Sequence, residues 1–188
     1  VKVKEKITVR EAREKAISDT NYYFSKTNTP IIINKMNKYD LKSCCFRSMI
    51  SQHCLAWNDY EHYLNDEHCY NFCFKIISLD IDKSITNRPE AACICTYNIF
   101  DKCISIEIIQ NFSKENKIIN GSMMKYSLLT IFLFLTKIEG NGIYLINPIN
   151  NEIKNYYVNV FGFNDINKDG KTLFLSFENL VNWYLTLI

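Results

Sequence analysis

The sequence predicts an α+β domain with a central twisted, mostly antiparallel sheet of about six or seven strands flanked by helices. Three observations carry this expectation. Apolar residues keep helical spacing in the first third of the chain, switch to strand-like runs between Tyr70 and Phe112, and return to helical spacing after Ser122. The middle runs are parted by the turn-like groups DIDKSITNRP and FDK, which makes an antiparallel meander the economical arrangement. With 188 residues, 47% of them apolar, the chain can bury one sizeable core.

The elements follow in order. Thr8 and Glu11 stand at capping-box spacing, and Val9, Ala12, Ala16 and Tyr23 lie near one helical face, so residues 8–24 form a first helix. Asn28, Thr29 and Pro30 break it, and the β-branched Ile31, Ile32 and Ile33 open a short strand ending near Met36. Leu41, Cys44, Cys45, Met49 and Leu55 restore helical spacing from Asp40, and Trp57 to Asn65 reads as a separate helix. Three strands follow, over Tyr70 to Leu79, Ala91 to Phe100 and Cys103 to Phe112. A polar stretch, SKENKIINGS, leads into a helix from Met123 to about Ile138, with Gly140 in the position of a C-cap. GIYLI reads as a buried strand, NNEIKNYYVNVF as an amphipathic helix, and two last strands enclose the loop NDINKDGK. Residues 1–29 are expected to form a helical extension and 30–188 the main domain.

Composition removes several classes of function. Only 5 Gly and 3 Pro occur and 14% of residues are aromatic, which excludes collagen-like and disordered chains. A net charge of +2, from 22 basic and 20 acidic residues, supplies no global field for nucleic acid or an anionic membrane, so neither is an expected partner. The bias toward Ile, Asn, Lys, Tyr and Phe looks like drift in an A/T-rich genome. The 8 cysteines invite a disulfide reading, but a chain of this size needs no staples, and VKVKEKITVREAREK has no apolar segment of the signal-peptide kind. Reduced thiols and a cytoplasmic location are expected. The longest apolar run, Leu128 to Leu135, is far too short for a membrane span.

The polar loop before the third main helix is the most informative local feature. A strand that enters a helix through Gly121 exposes free backbone N–H groups, which bind phosphate well. Ser122 can cap, and Lys114 and Lys117 add cationic charge. An ordinary capped helix start is the plain alternative. In the stretch NKIING and in NEIKNYYVNVFGF, together with the order of elements over roughly residues 30–178, the chain resembles the GNAT acyltransferase superfamily, whose members move an acyl group from coenzyme A to an amine. The family's pyrophosphate loop reads Gln/Arg-x-x-Gly-x-Gly/Ala; here Asn116, Ile119 and Gly121 occupy those positions, and two depart from it. A second family pattern, Asn-x-x-Ala-x-x-x-Tyr-x-x-x-Gly-Phe, is matched by Asn151, Gly162 and Phe163, while Lys154 and Val158 replace the Ala and the Tyr.

The resemblance implies acetyl-CoA or another acyl-CoA as cofactor, without a metal. It implies contacts to it from Gln110, Asn111, Phe112, Lys117, Asn120, Gly121, Ser122, Met123 and Asn151. Acyl transfer to an amine needs a neutral amine and a proton for the leaving thiolate. Glu107, placed by alternation on the strand face opposite Ile106 and Ile108, would serve as base through water, or is a solvent-facing carboxylate. Val158 cannot donate a proton, so Tyr156 and Tyr157 are the candidate acids, although one helical step of about 100° separates neighbours. The acceptor side, by the same resemblance, falls on Gln52, His53, Trp57, Asp59, Tyr60 and Glu61, where acids beside aromatics would suit a cationic amine. The acceptor is an amine of a small molecule or a protein, and a homodimer stays open. The rival reading is a catalytically silent domain of this fold that binds acyl-CoA or a protein partner.

Other constellations read more plainly. His53, His62, His68, Cys54, Cys69 and Cys73 are dense but follow no zinc spacing, and no local signature of a Cys/His hydrolase occurs. Cys93 and Cys95 share a strand face, as core residues do. DINKDG matches the start of a calcium-binding EF-hand loop, but Ser176 stands at the twelfth position and a strand follows, which favours a hairpin turn.

Overall fold

A computed structural model describes residues 7–65, 70–79 and 87–187. His68, Cys69 and most of the segment DIDKSITNRP lie outside the described residues. Seven strands form one sheet in the order β1-β2-β3-β4-β5-β7-β6. They are β1 (Ile31–Lys35), β2 (Asn71–Ser78), β3 (Ala91–Asn98), β4 (Cys103–Asn111), β5 (Gly142–Ile146), β6 (Asn164–Asp165) and β7 (Thr172–Ser176). All neighbours pair antiparallel except β4 and β5, which run parallel with the helix α3 (Met123–Ile138) as their crossover. The expected α+β architecture is therefore the observed one.

Helix α1 (Val9–Lys26) starts at the capping box read from the sequence: the Thr8 hydroxyl accepts from Glu11 N and the Glu11 carboxylate accepts from Thr8 N. Its buried face, Ala12, Ala16, Thr20 and Phe24, lies in the same core as α3. Helix α2 (Lys38–Met49) opens on a second reciprocal cap between Asn37 and Asp40, and Trp57–Asn65 winds as a 3₁₀ helix. Helix α4 (Asn151–Phe161) is capped by Asn150, whose Oδ1 accepts from Ile153 N at 2.8 Å.

Strand alternation sends side chains to two cores. One face of the sheet packs Phe72, Phe74, Cys93, Cys95 and Ile106 under α1 and α3, and the other packs Cys73, Ile94 and Ile108 under α2 and Trp57. Cys93 and Cys95, with their sulfurs 3.4 Å apart, thus lie in the core.

Two expectations fail. The chain does not end on a strand: after β7 a fifth helix, α5 (Phe177–Leu185), begins at Ser176, whose Oγ accepts from Asn179 N, and stacks Tyr184 on Phe132 of α3 at 4.3 Å. The apolar spacing of Phe177, Leu180, Val181 and Tyr184 is helical, and the strand-like TLFLS just before it masked the change of period. The left-handed residue ending α3 is Glu139 at φ 53°, not Gly140. Gly140 is needed for packing, since a Cβ there would stand 2.3 Å from Leu135 Cδ2. The DINKDG segment is the turn between β6 and β7, with Asp165 Oδ2 accepting from Gly170 N at 2.9 Å.

Candidate functional site

A cavity of about 670 Å³ opens where β4 and β5 part. The two strands pair only from Cys103↔Gly142 to Ile106↔Leu145, and beyond that point β4 continues to Asn111 without β5 beside it. Phe112 N donates to Glu90 O, so hydrogen-bonded pairs with β3 fall on alternate residues, and the backbone groups of Ile109 and Asn111 face the gap. A wedge with an unpaired strand edge is thereby built into the sheet.

Glu107 stands at the apex. The β3–β4 register jumps from Cys95↔Ile106 to Ile94↔Ile108, which leaves Glu107 as the extra residue of a β-bulge. The bulge breaks strict alternation: Ile106 packs with the α1–α3 core and Ile108 with the α2 core. Glu107 is thus opposite Ile106, as expected, but not opposite Ile108. Its Oε1 accepts from Thr96 Oγ1 at 2.9 Å, and Tyr60 OH donates to its backbone carbonyl at 3.4 Å. Burial first, and then the charge of Glu107, push the phenols of Tyr60 and Tyr63 above their ordinary 10.0.

Helix α3 points its N-terminus at the upper end of the wedge. Asn120 N, Ser122 N and Met123 N are taken by the carbonyls of Asn116 and Ile119. Among the described residues, the amides of Gly121, Met124 and Lys125 make no hydrogen bond, and Gly121 at φ 78° has open space where a Cβ would stand. Free donors at a helix start, unscreened by a side chain, are the physical requirement for holding phosphate oxygens. Ser122, against expectation, makes no side-chain cap, because its backbone is already helical (φ −114°, ψ −7°). Asn116 is tied down by donating to Glu90 Oε2 at 2.7 Å, and Ile119, at the position of a family glycine, is fully buried in the core.

Helix α4 closes the other side. Tyr156 and Tyr157 both line the cavity, and Val158, which packs against the same core as they do, does not. Burial raises both phenols, Tyr157 the more strongly with Cys93 and Tyr156 nearby, so both are neutral donors at physiological pH. The third side is the segment after α2, which supplies Ser51, Gln52, His53, Asp59 and Tyr60.

Of the residues singled out by sequence, Gln110, Asn111, Asn120, Gly121 and Met123 also line the cavity. Trp57 lies behind the wall, fully buried, with Nε1 donating to Gln110 Oε1 at 2.7 Å. Phe112 packs on Trp57 and gives its carbonyl to Arg47 Nη2 at 2.9 Å. Lys117, Ser122 and Asn151 are outside the lining, and Glu61 pairs with Lys38 on the surface at 3.6 Å. The turn after β5, from Asn147 to Ile149, and Glu152 and Ile153 of α4 belong to the lining and were missed. Their signal was positional only, as the residues following the strand that parts from β4.

No protein-family model matches the chain, and no curated protein matches it in sequence. Solved structures match its fold. FdhC, a nucleotide-linked sugar GNAT, superposes with a TM-score of 0.60 at 14% identity, over 85% of this chain and 93% of that one. The ribosomal-protein-S18-alanine N-acetyltransferase of Escherichia coli gives 0.55 at 12%, over 78% and 94%. A GNAT-family acetyltransferase of Staphylococcus aureus gives 0.54 at 14%, over 78% and 99%. The fold is that of the GNAT acetyltransferases, and at these identities the likeness concerns the fold alone.

Proposed function

We propose that this protein is an acyl-CoA-dependent N-acyltransferase, which moves an acetyl or other acyl group from coenzyme A to an amine of a small molecule or protein. One observation carries the reading: a single cavity joins the unpaired edge of β4, the free amides of Gly121 and Met124 at the start of α3, the Glu107 carboxylate and two neutral phenols. The thioester would supply the acyl group and a thiolate leaving group. Gly121 and Met124 would hold the diphosphate through their N–H groups. Ile109 and Asn111 would offer strand-like hydrogen bonds to the amides of the pantetheine arm. Glu107 would take a proton from the ammonium through water, and Tyr156 or Tyr157 would give one to the sulfur. Asp59, Glu107 and Glu152 around the cavity, with Tyr60 beside them, suit a cationic amine. The reading places the protein in a reducing cytoplasm, with no metal, nucleic acid or membrane required.

A second reading has its own support. Buried Ile119 and core-facing Val158 stand where the family has a glycine and a tyrosine, which favours a silent domain that binds acyl-CoA or a protein partner. Calorimetry and thermal melts with acetyl-CoA, followed by thiol release across an amine panel, separate the two. Ligand at 100 times its dissociation constant adds about 2.7 kcal/mol to stability. Gly121→Asp, which tolerates the left-handed backbone but puts a carboxylate at the phosphate site, weakens binding about tenfold or more. Binding without turnover selects the silent domain, and no binding removes the acyl-CoA assignment.

A further inference from the structure

The segment from Ser51 to Ala56 forms one wall of the cavity yet has no helix or strand of its own. Its shape depends on side chains reaching it from elsewhere. Within the segment's own neighbourhood, Ser48 Oγ accepts from Leu55 N at 2.7 Å, and the single Ser51 hydroxyl proton has Ser48 O at 2.8 Å and His53 O at 2.7 Å as alternative acceptors. From across the cavity, Lys114 Nζ donates to Gln52 Oε1 at 2.8 Å, but on the exposed surface, where such a contact contributes little. The buried connection is Gln110. Its Nε2 donates to Ser51 Oγ at 3.0 Å and to His53 O at 2.7 Å, and its Oε1 accepts from Trp57 Nε1 at 2.7 Å. Gln110 is 8% exposed and Trp57 fully buried, so water is a poor substitute for the indole bond, while the two wall bonds run from this buried amide to half-buried Ser51 and exposed His53.

Gln110 also occupies a particular place on β4. Its backbone belongs to the β3 ladder, while Ile109 and Asn111 on either side turn their backbone groups to the wedge. The strand that offers its edge to one substrate is therefore the strand that fixes the wall facing the other. A carboxamide is the side chain this needs, with one acceptor for the indole and two donors for the wall, and no other uncharged side chain supplies both.

We propose that Gln110 is a positioning residue: it sets the Ser51–Ala56 wall relative to β4, so that occupancy of the β4 edge is felt at the acceptor side. The proposal rests on the acyltransferase reading for what the two sides bind, but its geometric part does not. Gln110→Glu keeps the oxygen that accepts from Trp57 and removes both donors to the wall, whereas Trp57→Phe removes the indole N–H and part of the ring packed on Phe112 and leaves both wall donors in place. Hydrogen exchange read by mass spectrometry over residues 50–56 should be about tenfold faster in Gln110→Glu, the loss expected of two part-buried hydrogen bonds, and faster by clearly less in Trp57→Phe. Equal loosening in both, or none in Gln110→Glu, overturns it. If either core variant fails to fold, Gln110→Asn, which keeps the carboxamide but shortens its reach by one methylene, must raise exchange over the same residues, and no rise overturns the role of Gln110.

Coenzyme A added to the parent should slow exchange over residues 50–56 and leave it unslowed in Gln110→Glu; equal slowing in both defeats the coupling. With an amine turned over by the parent, Gln110→Glu should raise the KM for the amine about tenfold and that for acetyl-CoA less than about twofold. The reverse split overturns the assignment of the wall to the acceptor. If calorimetry shows that coenzyme A does not bind the parent, the acyl-CoA reading falls, and the exchange comparison without ligand still decides the role of Gln110.

Discussion

The side chain of Asn21 and the backbone of Ile33 exchange two hydrogen bonds: Nδ2 donates to the Ile33 carbonyl at 2.9 Å and the Ile33 N–H donates to Oδ1 at 2.7 Å. β1 is an edge strand, and Asn21 on α1 fills the place of a neighbouring strand at its middle residue. Asn21→Leu removes both bonds and leaves the Ile33 groups unpaired, at a cost of about 1–3 kcal/mol. Urea denaturation measures that loss. Sedimentation at rising concentration should also show association through the freed edge, and a variant as stable and as monodisperse as the parent would refute both expectations.

The reason α1 was legible in the sequence and the bulge was not lies in range. Thr8 and Glu11 are three residues apart, and their reciprocal cap depends on nothing else in the chain. Glu107 becomes an unpaired residue only through its register with Ile94 and Cys95, a relation between strands that β4 does not encode by itself. Alternation read along β4 alone therefore put Ile106 and Ile108 on one face. The candidate site divides the same way. Gly121 and the tyrosine pair announced themselves by local pattern, whereas the wall tied to Gln110 spans 57 or more positions of sequence. The family resemblance puts Trp57 on the acceptor side, yet its indole turns inward to Gln110.

Lys75 on β2 and Asp40 on α2 form a buried ion pair at 2.6 Å, and Lys75 Nζ also donates to Asn87 O at 2.8 Å. Asp40 Oδ2 meanwhile caps α2 through Asn37 N. Lys75→Met leaves the carboxylate uncompensated in the interior and should cost about 3–5 kcal/mol. Adding Asp40→Asn removes the charge while keeping an oxygen for the cap, so the double variant should recover part of the loss. Chemical denaturation of the three variants tests this, and a double variant weaker than Lys75→Met by the full cost of Asp40→Asn alone would show that the pair is not coupled.

Cysteine reactivity should follow burial. Cys54 is the exposed thiol among the described residues, Cys45 is half-buried, and Cys44, Cys73, Cys93, Cys95 and Cys103 are buried. Burial, and then the charge of Asp101, push the Cys103 thiol up to about 11, so little thiolate exists there at neutral pH. In native buffer a thiol reagent should therefore modify Cys54 first, and after denaturation without reductant all 8 thiols should react. Rapid native modification of Cys93 or Cys95, identified by peptide mapping, would contradict the packed core described here.

The tyrosine pair makes the sharpest demand on the proposed chemistry. Burial raises the phenols of both Tyr156 and Tyr157 above 10.0, so each folded-state group holds its proton where an unfolded phenol releases it. Their contribution to stability is present below about pH 10 and is lost as pH rises through the folded-state values. Urea denaturation at pH 8 and again above pH 10 should show this alkaline loss in the parent and a smaller one in Tyr157→Phe. The same shift keeps a general acid competent across the whole neutral range, so single-turnover rates should not fall on the alkaline side until above about pH 10. If a phenol delivers the proton, Tyr156→Phe or Tyr157→Phe lowers the single-turnover rate about 10²-fold with little change in coenzyme A affinity, and Val158→Tyr raises it toward the parent value. Glu107→Gln should instead slow the step in which the amine loses its proton, lowering the single-turnover rate by about 10²-fold with little change in coenzyme A affinity. Unimpaired rates in both phenylalanine variants, with the rate lowered in Glu107→Gln, would show that the thiolate departs without a side-chain acid. Unimpaired rates in all three variants would leave the silent domain as the better reading.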